Sequence, residues 1–173
     1  KWKNQVSGKM ASGLVQLCKQ RGVEFIQGKG VFKDSQTIEV SGKGRFQYDY
    51  CVLAVGSSPA IPAEFKEVDL LDSTRALELE EIPRRLLIVG GGYIGLEMGT
   101  VYARLGSRVT VVEMMDGLLT GVDRDLVRPL QQGLSREFES IFLSTKVTQV
   151  KSERREIKVI LESDSKKEEQ TFD

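Results

Sequence analysis

The chain is 173 residues long, 40% apolar, and balances 25 Lys plus Arg against 25 Asp plus Glu. That length suits one good core or two small ones, and the composition is that of a soluble globular protein. A zero charge balance argues against a nucleic-acid surface, which needs a basic excess to release counterions. No apolar run approaches the ~18 residues of a membrane span, and Lys1-Trp2-Lys3-Asn4 does not read as a secretory signal.

Histidine is absent altogether. This removes the commonest proton shuttle and the commonest metal ligand, so a His-based triad is excluded and no metal site is expected. Cys18 and Cys51, 33 residues apart, make neither a CxxC nor a metal cluster and read as buried thiols.

Trp2, Val6, Met10, Leu14, Leu17 and Cys18 recur at spacings of three and four, which predicts an amphipathic helix over 2–19 with Gly22 as its stop. Short β-rich pieces follow at 23–27, 30–32, 37–40 and 45–48, with Ser41-Gly42-Lys43-Gly44 as a hairpin turn. The run 50–55 (YCVLAV) is apolar along most of its length and reads as a strand covered on both faces. Residues 56–83 read as a connector, in which Asp72-Ser73-Thr74 caps a short helix over 74–80, closed by Pro83.

After the connector the pattern becomes strand 85–89, helix 92–105, strand 108–113 and a helix from Asp123 to about 139. Pro129 inside that last helix implies a kink or a late start. A strand at 146–151 follows, then a hairpin of 157–162 and 170–172 turned by the charged SDSKKEE run, a solvated turn. Alternation of strands and helices with short connections predicts right-handed crossovers and a parallel sheet.

The motif Gly90-Gly91-Gly92-Tyr93-Ile94-Gly95 sits between a strand and a helix whose apolar residues are Ile94, Met98, Val101 and Leu105. A second strand ends in Glu113, 18 residues past Gly95, near the spacing expected of a dinucleotide fingerprint. Gly90 permits the tight turn, Gly92 lets backbone approach a pyrophosphate, and Gly95 lets helix pack on strand, while the helix N-terminus offers free N–H groups. A carboxylate at 113 accepts from both ribose hydroxyls and repels a 2′-phosphate, and 114–120 contains no Arg or Lys, so NAD is expected over NADP. Glu97 reads either as a carboxylate favoured by the positive helix end or as a functional acid.

With these residues in hand, the run from Leu86 to Glu113, LLIVGGGYIGLEMGTVYARLGSRVTVVE, resembles the NAD domain of dihydrolipoyl dehydrogenases. These are class I pyridine nucleotide-disulfide oxidoreductases, the flavoproteins of 2-oxo acid dehydrogenase complexes. The flanks 72–77 and 145–148 fit as well, and YCVLAVGSSP at 50–59 is similar to the family's ATGS-type segment beside the flavin. The resemblance implies an α/β, Rossmann-like FAD/NAD(P)-binding fold in two partial units, with a mostly parallel sheet plus a β-meander. Residues 1–80 would be the back of the FAD domain, and 84–173 an NAD domain incomplete at its C-terminus.

By the same resemblance, Gly90, Gly91, Gly92, Tyr93, Ile94, Gly95 and Glu113 match NAD contacts. Tyr93 matches a residue shielding the nicotinamide pocket, Glu97 one bordering the nicotinamide beside the flavin, and Val147 one whose backbone lies against adenine. Gly30, Ala54, Gly56 and Ser57 match FAD contacts. The family's own FAD-binding GxGxxG, its redox-active cysteine pair and its His–Glu base are not among these residues, so no catalytic residue is assigned beyond a possible role for Glu97.

The implied parent reaction converts dihydrolipoamide and NAD to lipoamide and NADH through FAD and a redox disulfide. The parent would be a homodimer bound to the acyltransferase core of a 2-oxo acid dehydrogenase complex, cytoplasmic or in the mitochondrial matrix, with no nucleic-acid or membrane partner. The alternatives are another NAD-linked flavoprotein reductase of the superfamily and a stand-alone NAD-binding module.

Overall fold

The computed structural model describes residues 2–66, 68–154, 156–164 and 166–173. The chain divides into two units, Lys1–Gly56 and Ser57–Asp173.

The first unit begins with helix α1 (Trp2–Gln20), close to the predicted span. None of its residues is buried, and the apolar stripe stays open, with Trp2 77% and Met10 69% exposed. Strands β1 (Gly30–Phe32), β2 (Thr37–Val40) and β3 (Gly44–Gln47) form an antiparallel meander. Its second turn is at Ser41-Gly42-Lys43, as the sequence indicates, with Gly42 at φ +72° and Gly44 at φ +104°.

Two expected strands are absent from this unit among the described residues. Residues 23–27 adopt no regular structure, and 50–55 is not a covered strand: Tyr50 is 95% and Val52 89% exposed. A strand is defined by the neighbours that satisfy its backbone groups, and no described strand pairs with 50–55. The cysteines follow from this. Cys51 lies in that open segment and is exposed, and Cys18 on the uncovered helix is only half-buried, so neither is the buried thiol expected.

In the second unit a single helical turn (Ala63–Phe65) leads to helix α2 (Ser73–Glu78). Asp72 caps α2 as predicted, its Oδ1 accepting from the N–H groups of Thr74 and Arg75 at 2.9 and 2.8 Å. The helix closes at Leu79, which takes left-handed backbone (φ 54°), before Pro83 is reached.

Strand β4 (Arg85–Val89), helix α3 (Tyr93–Arg104), strand β5 (Arg108–Val112), helix α4 (Arg124–Glu137) and strand β6 (Ser140–Phe142) build a parallel three-stranded sheet in the order β4-β5-β6. This is the expected β-α-β-α-β unit, but its third strand is 140–142 and not 146–151. The latter belongs to β7 (Thr145–Glu153), which pairs antiparallel with β8 (Glu156–Ser163), itself paired antiparallel with β9 (Lys166–Phe172). Among the described residues the sheet β4-β5-β6 is parallel, and antiparallel meanders accompany it. β8 begins at Glu156, only a few residues after β7 ends at Glu153, and a parallel crossover would need a dozen or more, so the two strands pair antiparallel.

The charged run is likewise mostly strand. Lys166, Lys167, Glu168 and Glu169 lie in β9, where Lys167 reaches Glu162 on β8 at 3.3 Å and Lys166 pairs with Glu168. The expected turn residue Ser165 lies outside the described residues. Pro129 sits inside α4, which begins at Arg124, so the helix does not start late.

One core packs α2, α3 and α4 on the parallel sheet through Ala76, Leu96, Tyr102, Val109, Val111, Leu118, Val127, Leu134 and Phe138. A second joins Val112 to Val159, Leu161 and Phe172 of the meander. The buried residues of α3 are Leu96, Gly99 and Tyr102, whereas Ile94, Val101 and Leu105 are 40–49% exposed. Glycines explain the rotated face. A Cβ at Gly95 would lie 2.9 Å from Ile88 Cγ2, and one at Gly99 would lie 2.9 Å from Ile88 Cδ1 and Phe138 Cζ. Bare backbone on the packing side contributes nothing to an apolar stripe, so of the four apolar residues only Met98 packs against the core and the stripe lies partly off the buried face.

Candidate dinucleotide site

The site lies at the carboxyl ends of β4 and β5, where ligands bind in open α/β sheets. Gly90 follows β4 with φ +108°, a conformation that L side chains rarely adopt, and its N–H donates to Val112 O at 2.8 Å. Gly92 begins α3 with no side-chain cap, and nothing lies within 4 Å of where its Cβ would be. The first bond of the helix runs from Leu96 N–H to Gly92 O at 3.0 Å. The N–H groups of Tyr93, Ile94 and Gly95 precede it, at the positive end of the helix dipole. Gly95 is where helix and turn meet: a Cβ there would stand 2.5 Å from Gly90 O.

Gly91 behaves differently from its neighbours. It is buried, its N–H donates to Glu113 Oε2 at 2.7 Å, and its carbonyl accepts from Leu119 N–H at 2.9 Å. Both polar groups are thus satisfied by the protein. The other oxygen of Glu113, Oε1, accepts from Met115 N–H at 2.8 Å. The half-buried carboxylate therefore ties the glycine turn to the end of β5, and each oxygen keeps lone-pair capacity for a further donor.

The remaining predicted residues take their places around this turn. Tyr93 is 67% exposed at the mouth of the helix, and Glu97 is exposed one turn on. Val147, on β7, is half-buried in the second core beside a register shift in the β7–β8 pairing. In the first unit, Gly30 lies on β1, where a Cβ would meet Ile38 Cδ1 at 2.7 Å. Ala54 and Gly56 lie in the unpaired segment after β3, and Gly56 has φ +73°. Ser57 opens the second unit.

Sequence reasoning passed over the loop after Met115. Arg124, the first residue of α4, donates to Leu118 O (2.9 Å), Leu119 O (2.7 Å) and Val122 O (2.8 and 3.0 Å). The available signal was a cation at a helix start, where the dipole disfavours it.

Among the described residues no group of His, Cys, Asp and Glu could hold a metal ion, and no helix is long and apolar enough to cross a membrane.

This geometry agrees with what the chain is similar to. Residues 3–171 match the sequence pattern of the pyridine nucleotide-disulphide oxidoreductases. The chain belongs to that family. Within it, a dihydrolipoyl dehydrogenase of Vibrio cholerae is 42% identical over 171 residues, which are 95% of this chain and 35% of that protein. One from Haemophilus influenzae is 37% identical over 179 residues, covering 99% of this chain and 37% of the other. The chain thus spans about a third of the length of these curated relatives.

Among solved structures, the Cu(II) complex of the HOCl-induced flavoprotein disulfide reductase RclA from Escherichia coli matches with a TM-score of 0.75 at 25% identity. The match covers 99% of this chain and 39% of that one. LpdA from Mycobacterium tuberculosis shares the fold, with a TM-score of 0.76 at 22% identity over 95% of this chain and 38% of that one. The pyridine nucleotide-disulphide oxidoreductase assignment and the α/β fold expected from the sequence are both borne out.

Proposed function

We propose that the turn Gly90–Gly95, the start of α3 and Glu113 form the NAD site of a flavoprotein disulfide reductase of the dihydrolipoyl dehydrogenase type. The observation that carries this reading is the open space over Gly92 at an uncapped helix start, flanked by a fixed carboxylate at the end of β5. Free N–H groups there suit a pyrophosphate. Glu113 would accept from the adenosine ribose and disfavour a 2′-phosphate. Glu97 and Tyr93 would border the nicotinamide, and Val147 would lie by the adenine. The nicotinamide, when bound, accepts hydride. What these residues do is bind and orient it.

Gly30, Ala54, Gly56 and Ser57 would contribute to a flavin site. The uncovered apolar residues of α1 and of 50–55 support a larger flavin domain around them, because large exposed apolar patches mark surfaces that are normally covered. The names and lengths of the relatives support the same reading. The parent would oxidise dihydrolipoamide with NAD as a homodimer, bound to the acyltransferase core of a 2-oxo acid dehydrogenase complex in the cytoplasm or mitochondrial matrix.

Two measurements test the proposal. Glu113→Arg is expected to weaken NAD binding, roughly tenfold or more for a lost charged contact, and to improve tolerance of NADP. Unchanged NAD affinity in a titration would show that Glu113 is wrongly placed. These 173 residues expressed by themselves contain no histidine and no closely spaced cysteine pair. They are expected to hold no stoichiometric FAD and to show no lipoamide-dependent NADH oxidation. A yellow protein with a flavin absorbance band would overturn that expectation.

A further inference from the structure

We infer that Arg124 is a positioning residue for the dinucleotide turn, holding the β5–α4 loop so that Leu118 and Leu119 lock Gly91 in place. The inference rests on the NAD reading of that turn and adds to it a residue outside the fingerprint. A guanidinium at the first position of a helix is disfavoured by the helix dipole, and among the described residues Arg124 makes no ion pair to offset this. Its four hydrogen bonds instead gather three carbonyls of one loop, those of Leu118, Leu119 and Val122.

The loop is shaped around that head group. Gly117 leaves room for it, since a Cβ there would stand 2.6 Å from Nη1. Leu119 is held in left-handed backbone at φ 51°, which a leucine seldom adopts without support.

From this loop the contact passes directly to the site. Leu118, wholly buried, fills the space beside Gly91, where a Cβ would meet Leu118 Cδ2 at 2.5 Å. Leu119 N–H donates to Gly91 O on one side while Glu113 Oε2 takes Gly91 N–H on the other. Gly91 lies between the turn residue Gly90 and the open Cα of Gly92. Clamping it from both sides fixes the direction of the helix-start N–H groups and of the Glu113 carboxylate. Released carbonyls on the outer loop can turn to water, so loss of the clasp loosens the loop without emptying the core.

The test uses Arg124→Met, Arg124→Lys and Gly117→Ala. Gly117 is outside the left-handed region, so alanine suits its backbone and only the flexible guanidinium must move. Calorimetric titration with NAD and with ADP-ribose is expected to give Kd values raised about five- to tenfold in Arg124→Met, by the same factor for both ligands, as loss of exposed charged hydrogen bonds implies. Gly117→Ala should shift both in the same direction by less, and Arg124→Lys should recover part of the loss.

A role in stability alone would lower the melting temperature and leave these Kd values at the wild-type level, which would overturn the inference. Amide exchange at Leu119 and Gly91 reads the clamp without any ligand: faster exchange in Arg124→Met and Gly117→Ala is expected, and unchanged rates would overturn it. Wild-type protein that bound neither ligand would overturn the NAD reading instead, with the exchange rates still deciding the clamp.

Discussion

Three glycines within six residues of the turn have different physical reasons to be glycine. Gly90 needs φ +108°, Gly95 needs room against Gly90 O, and Gly92 needs neither, having ordinary negative φ and empty space around it. Two substitutions therefore separate fold from binding. Gly95→Ala forces a Cβ to 2.5 Å from a backbone oxygen that cannot swing away. It should cost about 2–3 kcal/mol of stability, read as a lowered midpoint in thermal or denaturant unfolding. Gly92→Ala should change stability by less than about 1 kcal/mol yet weaken NAD binding in a titration, because its Cβ enters the space assigned to the pyrophosphate. Equal effects of the two on stability would contradict this division. Glu113 shows the converse: its position was legible from spacing, but its bonds to Gly91 and Met115 depend on a loop that no spacing rule describes.

At the scale of elements, a buried polar contact joins α2 to α3 beside their apolar packing. Tyr102, 1% exposed, donates its hydroxyl to Ala76 O at 2.9 Å, and burial pushes the phenol pKa up, so it remains a donor at neutral pH. Tyr102→Phe leaves that carbonyl without its partner and is expected to cost about 1–2 kcal/mol. Amide exchange in α2 should rise with it, and a midpoint equal to wild type would show that water replaces the hydroxyl. Strand identities were harder to read than helices here. Three-residue β6 carries no alternation to count, while 50–55 has the composition of a buried strand without a neighbour to pair with.

At the scale of the second unit, its two sheets are fastened where the end of β9 meets β4. Asp173 Oδ2 accepts from Arg85 N–H at 2.9 Å, Oδ1 accepts from the Arg85 guanidinium at 3.1 Å, and Asp173 N–H donates to Arg85 O at 3.2 Å. Burial pushes the Asp173 carboxyl upward, but the Arg85 N–H and guanidinium outweigh it, and the net pKa is lowered. A lowered folded-state pKa contributes stability that is present above the unfolded value and is lost as pH falls through the folded one. Asp173→Asn should therefore melt a few degrees below wild type at pH 6–7, for about 1 kcal/mol in a partly exposed pair. The gap should close below about pH 4. A gap independent of pH would assign the effect to packing.

The sequence by itself determined the glycine-rich turn at 90–95, the acid at the end of β5, the capped α2, the β4-α3-β5-α4 order and the family. Each of these is written in local spacing: a turn conformation only glycine takes, a cap, a period. Tertiary structure decided the rest. It placed the third parallel strand at 140–142, paired β7, β8 and β9 into an antiparallel meander, and turned α3 onto its glycine face. It also left α1 and 50–55 uncovered and recruited Arg124 to the loop beside Gly91. Pairing, helix rotation and long-range clasps depend on which distant groups supply the missing hydrogen bonds and contacts, and a linear pattern does not encode those partners.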